Sequence, residues 1–434
     1  MKTPSFRIPG IRLTNHEFTA PINYKNPSSG SLKIFAREVV SNANHYRANE
    51  LPWLIFFQGG PGFPSPRPTN KHGWLNRALQ QYRVLLLDQR GTGLSTPVTY
   101  QTLAKFGTAK EQADYLVNFR ADSIVKDAEL IRSQLLKPGE KWTGFGQSYG
   151  GFCLTHYLSA APEGLAEVVI TGGLPPLTAN VDDVYRATYK RVLNRNRQYY
   201  ERYPADIELV HKIVSLLRSK KVELPDCGVL TPERFQQLGI SFGMTEGFEA
   251  IHYLLEEALI TNAHGIEDLS FTFLRSLAGS QAYETNPIYA LLHESIYCQN
   301  FASDWSAERM KAEFPQFRPD RSDGPILFTG EMIYPSMFDD YKYLQPLKNA
   351  AELLAQKSDW EPLYDVKALH KNTVPVAAAV YYDDMYVELS YSEDAAHKIG
   401  NCRTWVTNEY DHNGIRQDGE RVLDRLFQML RHEI

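Results

Sequence analysis

The chain has little cysteine and no long apolar run. It carries only four cysteines in 434 residues (Cys153, Cys227, Cys298 and Cys402), and no two of them form a Cys-x-x-Cys pair. This usage predicts reduced, mostly buried thiols and gives no sign of a zinc or redox site. No stretch approaches the roughly 18 apolar residues of a membrane-spanning helix, and Met1–Gly10 lacks the apolar segment of a secretion signal. We therefore expect a cytoplasmic protein with no membrane partner.

The chain also lacks an excess of positive charge. Lysine and arginine together number 46 and aspartate and glutamate 51, which gives a net charge of -5. Because no cationic surplus is available to neutralise phosphates, we expect no nucleic-acid partner. The 434 residues exceed what one ordinary hydrophobic core holds, so two domains, or one core with a large insertion, are expected.

What the sequence does contain is an alternation of buried strands and helices. Unbroken apolar runs at Trp53–Phe57 and Val84–Leu87 are typical of strands buried on both faces of a parallel sheet. Apolar residues at helical spacing follow over 122–136, and polar-apolar alternation within Ile11–Val39 predicts antiparallel edge strands. Further strand candidates are Trp142–Phe145, Val168–Ile170, Pro325–Phe328, Val374–Tyr381 and Arg403–Val406, with a closing helix at Gly419–Glu433. The pattern predicts an α/β fold, with a mostly parallel central sheet and helices on both faces.

The alternation stops in the middle of the chain. From about Leu177 to Asp323 the apolar spacing is helical and no buried-strand run is evident. The sequence therefore predicts a discontinuous catalytic domain of residues 1–176 and 324–434. A large, mostly helical cap of residues 177–323 is inserted in it.

The strongest local motif surrounds Ser148. The segment Gly146–Gly151 reads Gly-Gln-Ser-Tyr-Gly-Gly and joins a predicted strand to a predicted helix. A serine on so tight a strand-to-helix turn needs small neighbours, and its hydroxyl is exposed at the positive end of the helix. We therefore predict Ser148 as a catalytic nucleophile.

A second motif, Gln58–Gly62, follows an earlier buried strand and reads Gln-Gly-Gly-Pro-Gly. A serine acyl-transfer site needs two backbone N–H groups directed at the oxyanion that forms during the reaction. The candidates for this oxyanion hole are Gly60 and Tyr149, the residue after the nucleophile.

The nucleophile needs a base and the base needs an acid, both in loops after late strands. His412 lies on a Gly-containing loop after the strand Arg403–Val406, where the base belongs. His397, in a helical segment, and His370, before a strand, are the competitors. Asp383 and Asp384 both follow the strand Val374–Tyr381, and their spacing alone does not identify which of them is the acid.

These motifs together resemble the proline iminopeptidase (prolyl aminopeptidase) family of serine peptidases. The resemblance is carried by Gln58–Gly62, by Asp88–Ser95 (Asp-Gln-Arg-Gly-Thr-Gly-Leu-Ser) and by Gly146–Gly151. Thr171–Pro176 and Gly330–Pro335 resemble the longer-chain branch, whose helical cap is larger. The resemblance implies the α/β-hydrolase fold, release of an N-terminal proline from peptides, and Asp384 as the acid.

The resemblance also implies a carboxylate that holds the free amine of the substrate. The segment around Glu294 is similar to the place in the cap where the family carries it, which makes Glu294 the first candidate and Glu331 the second. The family usually begins the oxyanion motif with His where this chain has Gln58, a change that leaves the backbone donors unaffected. The side chains of Asp88 and Arg90 are interpreted as bracing the site structurally.

The expected partners are peptides with a free N-terminal proline, and the serine mechanism requires no metal or cofactor. A monomer is the working expectation, although the sequence does not set the oligomeric state. Two alternatives stay open. One is an esterase or amidase of small acyl substrates on the same scaffold, which has no need of Glu294. The other is a non-catalytic binding module, against which the intact Ser148, Asp384 and His412 argue.

Overall fold

A computed structural model describes residues 5–434 of the chain. Its centre is a nine-stranded sheet with the strand order β1-β2-β3-β5-β4-β6-β7-β10-β11. The strands are β1 (Ser5–Ile8), β2 (Ile11–Pro21), β3 (Ser31–Ser41), β4 (Trp53–Phe57), β5 (Arg83–Leu87), β6 (Trp142–Gln147), β7 (Leu165–Thr171), β8 (Leu259–Thr261), β9 (Glu267–Leu269), β10 (Val376–Tyr381) and β11 (Cys402–Thr407). β8 and β9 form a separate antiparallel pair.

Helices cover the sheet, and others form the main secondary structure of residues 177–323, a segment that is called the cap below. Within residues 5–434 the α-helices are α1 (Gly73–Ala78), α2 (Tyr100–Leu103), α3 (Ala109–Leu116), α4 (Ala121–Leu135), α5 (Tyr149–Ala160), α6 (Val181–Arg202), α7 (Asp206–Ser219), α8 (Pro232–Gln236), α9 (Gly247–Glu256), α10 (Phe271–Ser280), α11 (Pro287–Leu292), α12 (Ser306–Lys311), α13 (Met337–Asp340), α14 (Lys348–Gln356), α15 (Val366–His370), α16 (Leu389–Lys398), α17 (Gly414–Gln417) and α18 (Gly419–Leu430). Short 3₁₀ turns lie at Pro27–Ser29, Asn42–Glu50, Val117–Phe119, Pro162–Gly164, Gln237–Gly243, Glu294–Tyr297, Pro315–Phe317 and Gln345–Leu347.

The sheet is parallel where the sequence is most apolar. β5, β4, β6, β7, β10 and β11 pair in parallel, and β1, β2 and β3 extend the sheet antiparallel at one edge. All five residues of β4 are buried, since Trp53, Ile55 and Phe57 enter one core and Leu54 and Phe56 enter the core on the other face. Burial on both faces explains the unbroken apolar run. The predicted sheet is therefore confirmed.

One predicted strand is wrong. Residues 325–328 join no sheet in the part of the chain that the structure describes, although Ile326, Leu327 and Phe328 are all buried. Side chains of cap helices satisfy this backbone instead. Asn196 of α6 exchanges two 2.8 Å hydrogen bonds with the Phe328 backbone, and Gln236 of α8 donates to the Leu327 carbonyl at 2.6 Å. An apolar run indicates that a segment is buried, but it does not indicate whether strands or helices bury it.

The sheet consequently resumes only at Val376, after the helices α13 to α15. Between α6 and α12 the chain is mostly helical, apart from the β8–β9 pair. The division into a catalytic domain of 1–176 and 324–434 and a cap of 177–323 stays a prediction. All four cysteines are free thiols, two of them buried. Within residues 5–434, no helix has both the length and the apolar character needed to cross a bilayer.

Candidate active site

Ser148 lies at the sharp turn between β6 and α5. Its backbone angles, φ 54° and ψ -125°, are unusual for a residue other than glycine. The turn fits because its neighbours lack side chains: a Cβ at Gly150 would collide with the carbonyl oxygen of Phe57 on β4. The result is a partly exposed serine at the N-terminus of a helix that is buried along most of its length. This is the geometry expected of an activated nucleophile.

His412 and Asp384 form a buried pair. The Nδ1 atom of His412 lies 2.7 Å from Oδ2 of Asp384, and the side chains are 9% and 1% exposed. The other carboxylate oxygen of Asp384 accepts the N–H groups of Tyr386 at 2.8 Å and Val387 at 3.0 Å. Burial disfavours a charged imidazole, but the Asp384 carboxylate outweighs it and raises the pKa of His412. The acid thus orients the ring and favours its protonated form.

The competing residues lie elsewhere. Asp383 is only half-buried, and its carboxylate makes no hydrogen bond within the described residues 5–434. His397 and His370 are exposed on the helices α16 and α15 and do not line the cavity beside Ser148. The geometry therefore favours Asp384 and His412 among the alternatives that the sequence left open.

Ser148 and His412 open into one cavity of about 290 Å³. The floor is built by the loop after β4, the β6–α5 turn and the segment 412–416, and the cap contributes residues from 237–244 and 280–289. Oγ of Ser148 makes no direct hydrogen bond to His412 among the described atoms. Such contacts often tighten only when substrate is bound. The shared cavity places nucleophile and base against the same substrate volume.

The predicted oxyanion donors flank the nucleophile. Gly60 lines the cavity, and Gly59 beside it lies so close to Ser148 that a Cβ there would lie 2.9 Å from the serine Cβ. Across residues 5–434, no protein acceptor takes up the N–H of Gly60 or of Tyr149. Two backbone donors are therefore available beside Ser148, as an oxyanion hole requires.

The two candidate amine-binding carboxylates differ in their surroundings. Glu331 lines the cavity, and one of its oxygens accepts a hydrogen bond from the hydroxyl of Tyr289. Glu294 is not among the residues that line the cavity. Its oxygens accept the N–H groups of Ser306 at 3.2 Å and Ala307 at 2.9 Å, at the start of α12. The structure thus brings Glu331, but not Glu294, together with Ser148 and His412.

The sequence has close relatives of known class. It matches the α/β-hydrolase fold family over residues 52–220. It is 47% identical over 425 residues to a proline iminopeptidase of Aeromonas sobria, with 98% of each chain covered. It is also 38% identical over 430 residues to a proline iminopeptidase of Aspergillus aculeatus, covering 96% of this chain and 93% of that one. The chain belongs to the proline iminopeptidase family. The α/β-hydrolase fold predicted from the sequence is confirmed.

Solved structures share the architecture only distantly. A proline iminopeptidase of Mycobacterium smegmatis aligns over 96% of this chain and 98% of its own, with a TM-score of 0.45 and 13% identity. Esterase E22 aligns over 97% of this chain and 100% of its own, with a TM-score of 0.46 and 10% identity. Membership of the proline iminopeptidase family therefore rests on the sequence relatives.

In this proline iminopeptidase family member, the Asp88–Ser95 motif braces the site from outside the cavity. Asp88 is fully buried and accepts hydrogen bonds from the N–H groups of Ser65 and Leu94. Gln89 donates to the Gln58 carbonyl at 2.9 Å and so holds the oxyanion loop. Arg90 forms a buried ion pair with Asp127 at 2.6 Å. These contacts agree with the structural interpretation of Asp88 and Arg90, which stays a prediction.

Several cavity residues were not singled out from the sequence. Four aromatic rings line it: Phe63, Tyr283, Tyr289 and Tyr386. Tyr386 packs edge-on against His412, with 4.7 Å between ring centroids. Phe63 directly follows the Gln58–Gly62 motif, and Tyr386 comes two residues after Asp384, so proximity to a motif could have found both. Nothing local in the sequence marks Tyr283 or Tyr289, because the cap reaches the site only through the fold.

Proposed function

We propose that this protein is a serine aminopeptidase that releases an N-terminal proline from peptides through an acyl-enzyme. The observation that carries the proposal is that Ser148, His412 and Glu331 line the same cavity of about 290 Å³. A nucleophile, a base and a carboxylate for a substrate amine are thereby combined in one site. The names of the Aeromonas sobria and Aspergillus aculeatus relatives support the same activity.

The proposed reaction begins at Ser148. Oγ of Ser148 attacks the carbonyl carbon of the N-terminal residue while Nε2 of His412 takes the hydroxyl proton. Asp384 holds Nδ1 of His412 and stabilises the imidazolium that forms. The N–H groups of Gly60 and Tyr149 stabilise the tetrahedral oxyanion. His412 then protonates the departing nitrogen, and water, activated by the same histidine, releases proline.

The cavity suits a small, apolar, positively charged end group. The rings of Phe63, Tyr283, Tyr289 and Tyr386 supply an apolar lining for the proline ring. Glu331, whose side chain is 15% exposed, supplies a carboxylate in the same lining for the cationic imino group. An N-blocked or internal proline carries no such charge. Its binding would leave the Glu331 carboxylate desolvated without a partner, so we expect peptides of this kind to be rejected.

The geometry favours Glu331 over Glu294 as the amine anchor. Both oxygens of Glu294 already accept backbone N–H groups, and burial raises the pKa of Glu294 to about 7. A carboxyl group that is partly protonated and already hydrogen-bonded offers little to a substrate cation. Among residues 5–434, Glu331 accepts a single hydrogen bond, from the hydroxyl of Tyr289, and its side chain lies in the cavity lining. The role predicted for Glu294 stays open to the same experiment.

The test compares prolyl, alanyl and N-acetyl-prolyl anilides as substrates of the wild type, Ser148→Ala, Glu331→Gln and Glu294→Gln. We expect free prolyl anilide to be cleaved fastest and the acetylated form to be inert. Loss of the nucleophile should lower kcat by at least about 10³-fold. Glu331→Gln should lower kcat/KM by about 10²-fold, as expected when a buried charge loses its partner, and Glu294→Gln should have a much smaller effect.

Two outcomes would contradict the proposal. If the acetylated substrate or a simple ester is cleaved as well as the free prolyl anilide, the protein is an esterase or amidase on the same scaffold. If Glu294→Gln abolishes selectivity for the free amine and Glu331→Gln does not, the amine anchor has been assigned to the wrong carboxylate. A cytoplasmic location, a monomeric state and catalysis without a cofactor stay predictions.

A further inference from the structure

Arg416 is a cation on the cavity wall that the proposed reaction does not use. It lies on α17 (Gly414–Gln417), four residues after His412, and lines the same cavity as Ser148 and Glu331. Its side chain is exposed, whereas His412 is buried. Because α17 follows the catalytic loop directly, the position of Arg416 is set relative to the base.

Arg416 has no partner among the residues that the structure describes. Among residues 5–434, its guanidinium forms no ion pair within 4.0 Å and donates no hydrogen bond. Neighbouring arginines are paired: Arg195 with Asp411 at 3.1 Å, and Arg421 with Glu409 at 2.7 Å. A guanidinium that faces a binding cavity without a counter-ion is suited to a carboxylate, which it binds through two parallel hydrogen bonds.

The chemistry of the leaving group places a substrate carboxylate close to His412. His412 must give its proton to the departing nitrogen, so the residue that leaves lies next to His412. In a dipeptide, only the Cα atom separates this nitrogen from the carboxyl carbon. The carboxylate of a bound dipeptide is therefore held close to His412, and Arg416, four residues after His412, is a cation in the lining of the same cavity.

We propose that Arg416 binds the C-terminal carboxylate of dipeptide substrates and makes the enzyme prefer free dipeptides over their C-terminal amides. This inference rests on the proposed function and adds a specificity-determining residue to it. The cavity then carries opposite charges for the two ends of the substrate. Glu331 faces the imino cation and Arg416 faces the carboxylate, which matches a zwitterionic prolyl dipeptide.

The experiment measures proline released from prolyl-glycine and from prolyl-glycinamide. For the wild type we expect kcat/KM to be about tenfold higher for the free acid, the lower end of what a hydrogen bond to a charged group contributes. Arg416→Gln should bring this ratio close to one, and Arg416→Lys should retain part of it. Arg421→Gln is the matched control, since it removes the same charge from an exposed arginine that is paired with Glu409 away from the cavity. It should keep the wild-type ratio.

Added salt gives a second readout that needs no variant. For the wild type, the ratio of kcat/KM for prolyl-glycine to that for prolyl-glycinamide should fall as the sodium chloride concentration rises, because ions screen exposed charges. Prolyl anilide separates the two possible failures. If the wild type cleaves it but does not distinguish the dipeptide from its amide, the inference is overturned and the proposed function stands. If the wild type does not cleave prolyl anilide, both are overturned. An unchanged ratio in Arg416→Gln also overturns the inference.

Discussion

The backbone around Asp384 determines which of two adjacent aspartates pairs with His412. Asp383 and Asp384 are adjacent and chemically identical, yet only Asp384 is buried and bonded to His412. The turn after β10 directs the N–H groups of Tyr386 and Val387 at one oxygen of Asp384 and leaves the other oxygen for the histidine. These hydrogen bonds hold the carboxylate in the orientation in which it faces His412. Asp384 is thus positioned to act as the orienting carboxylate.

The pairing of His412 with Asp384 predicts the acidic limb of the activity profile. A general base must be neutral, and the pKa of His412 is raised by Asp384 in spite of burial, so activity should fall as pH drops through a value above the usual 6.5 or so. The Asp384→Asn variant lacks the charge that raises the pKa of His412, whereas the imidazole stays buried. The limb should therefore move to lower pH, while kcat falls by about 10⁴-fold. Profiles of kcat/KM and of kcat between about pH 5 and pH 9 measure the two effects.

Asp383→Asn is the matched control for this profile. It removes the same charge one residue away, from a side chain that does not contact His412. Its acidic limb should stay close to that of the wild type. A profile that shifts equally in both variants would show that the limb reports something other than the His412–Asp384 pair.

Among the secondary-structure elements, those with a local signature could be predicted. β4 and β5 are buried on both faces, which the sequence records as unbroken apolar runs. Residues 325–328 form a similar apolar run, but their backbone is hydrogen-bonded to side chains of α6 and α8. Burial by helices of the cap and burial by neighbouring strands favour the same residue types, so the sequence does not distinguish them. The position of the Glu294 carboxylate could not be predicted from the sequence either. Its sequence context places it in the cap, but only the fold shows that its carboxylate faces α12.

The burial of Glu294 predicts a stability effect. Burial raises the pKa of Glu294 from 4.5 to about 7, so the fold favours the protonated acid. The stabilisation is fully present below about pH 4.5 and is lost as pH rises through about 7. Relative to Glu294→Gln, the free energy of unfolding of the wild type should fall by up to about 3 kcal/mol over that range.

Urea unfolding of both proteins at a series of pH values gives this difference. The glutamine variant is nearly isosteric and does not titrate, so it removes the contribution of this one group from the comparison. Other ionisable groups affect both proteins alike. A difference that is constant with pH would mean that Glu294 has the same pKa in the folded and the unfolded protein, contrary to its buried setting.

At the scale of the whole molecule, the site is assembled from distant parts of the chain. The segments at 58–63, 147–148 and 412–416 come from loops of the sheet, where motifs predicted Ser148, Gly60 and His412. The cap supplies Tyr283 and Tyr289, which the sequence could not place because no local pattern sets how the cap lies over the sheet. The chemistry was therefore predictable from the sequence, and the shape of the binding pocket was not.

Because cap and sheet share one cavity, a bound substrate should stabilise the two together. Ser148→Ala lacks the nucleophile and can hold prolyl-glycine without cleaving it. At about 100 times its Kd, a ligand that binds only the folded state adds about 2.7 kcal/mol to the free energy of unfolding. Thermal unfolding of Ser148→Ala should shift upwards as a single transition with prolyl-glycine and should not shift with N-acetyl-prolyl-glycine. An equal shift with the acetylated peptide would mean that the free amine is not recognised. Two separate transitions with only one of them shifted would mean that the ligand contacts the cap or the sheet alone.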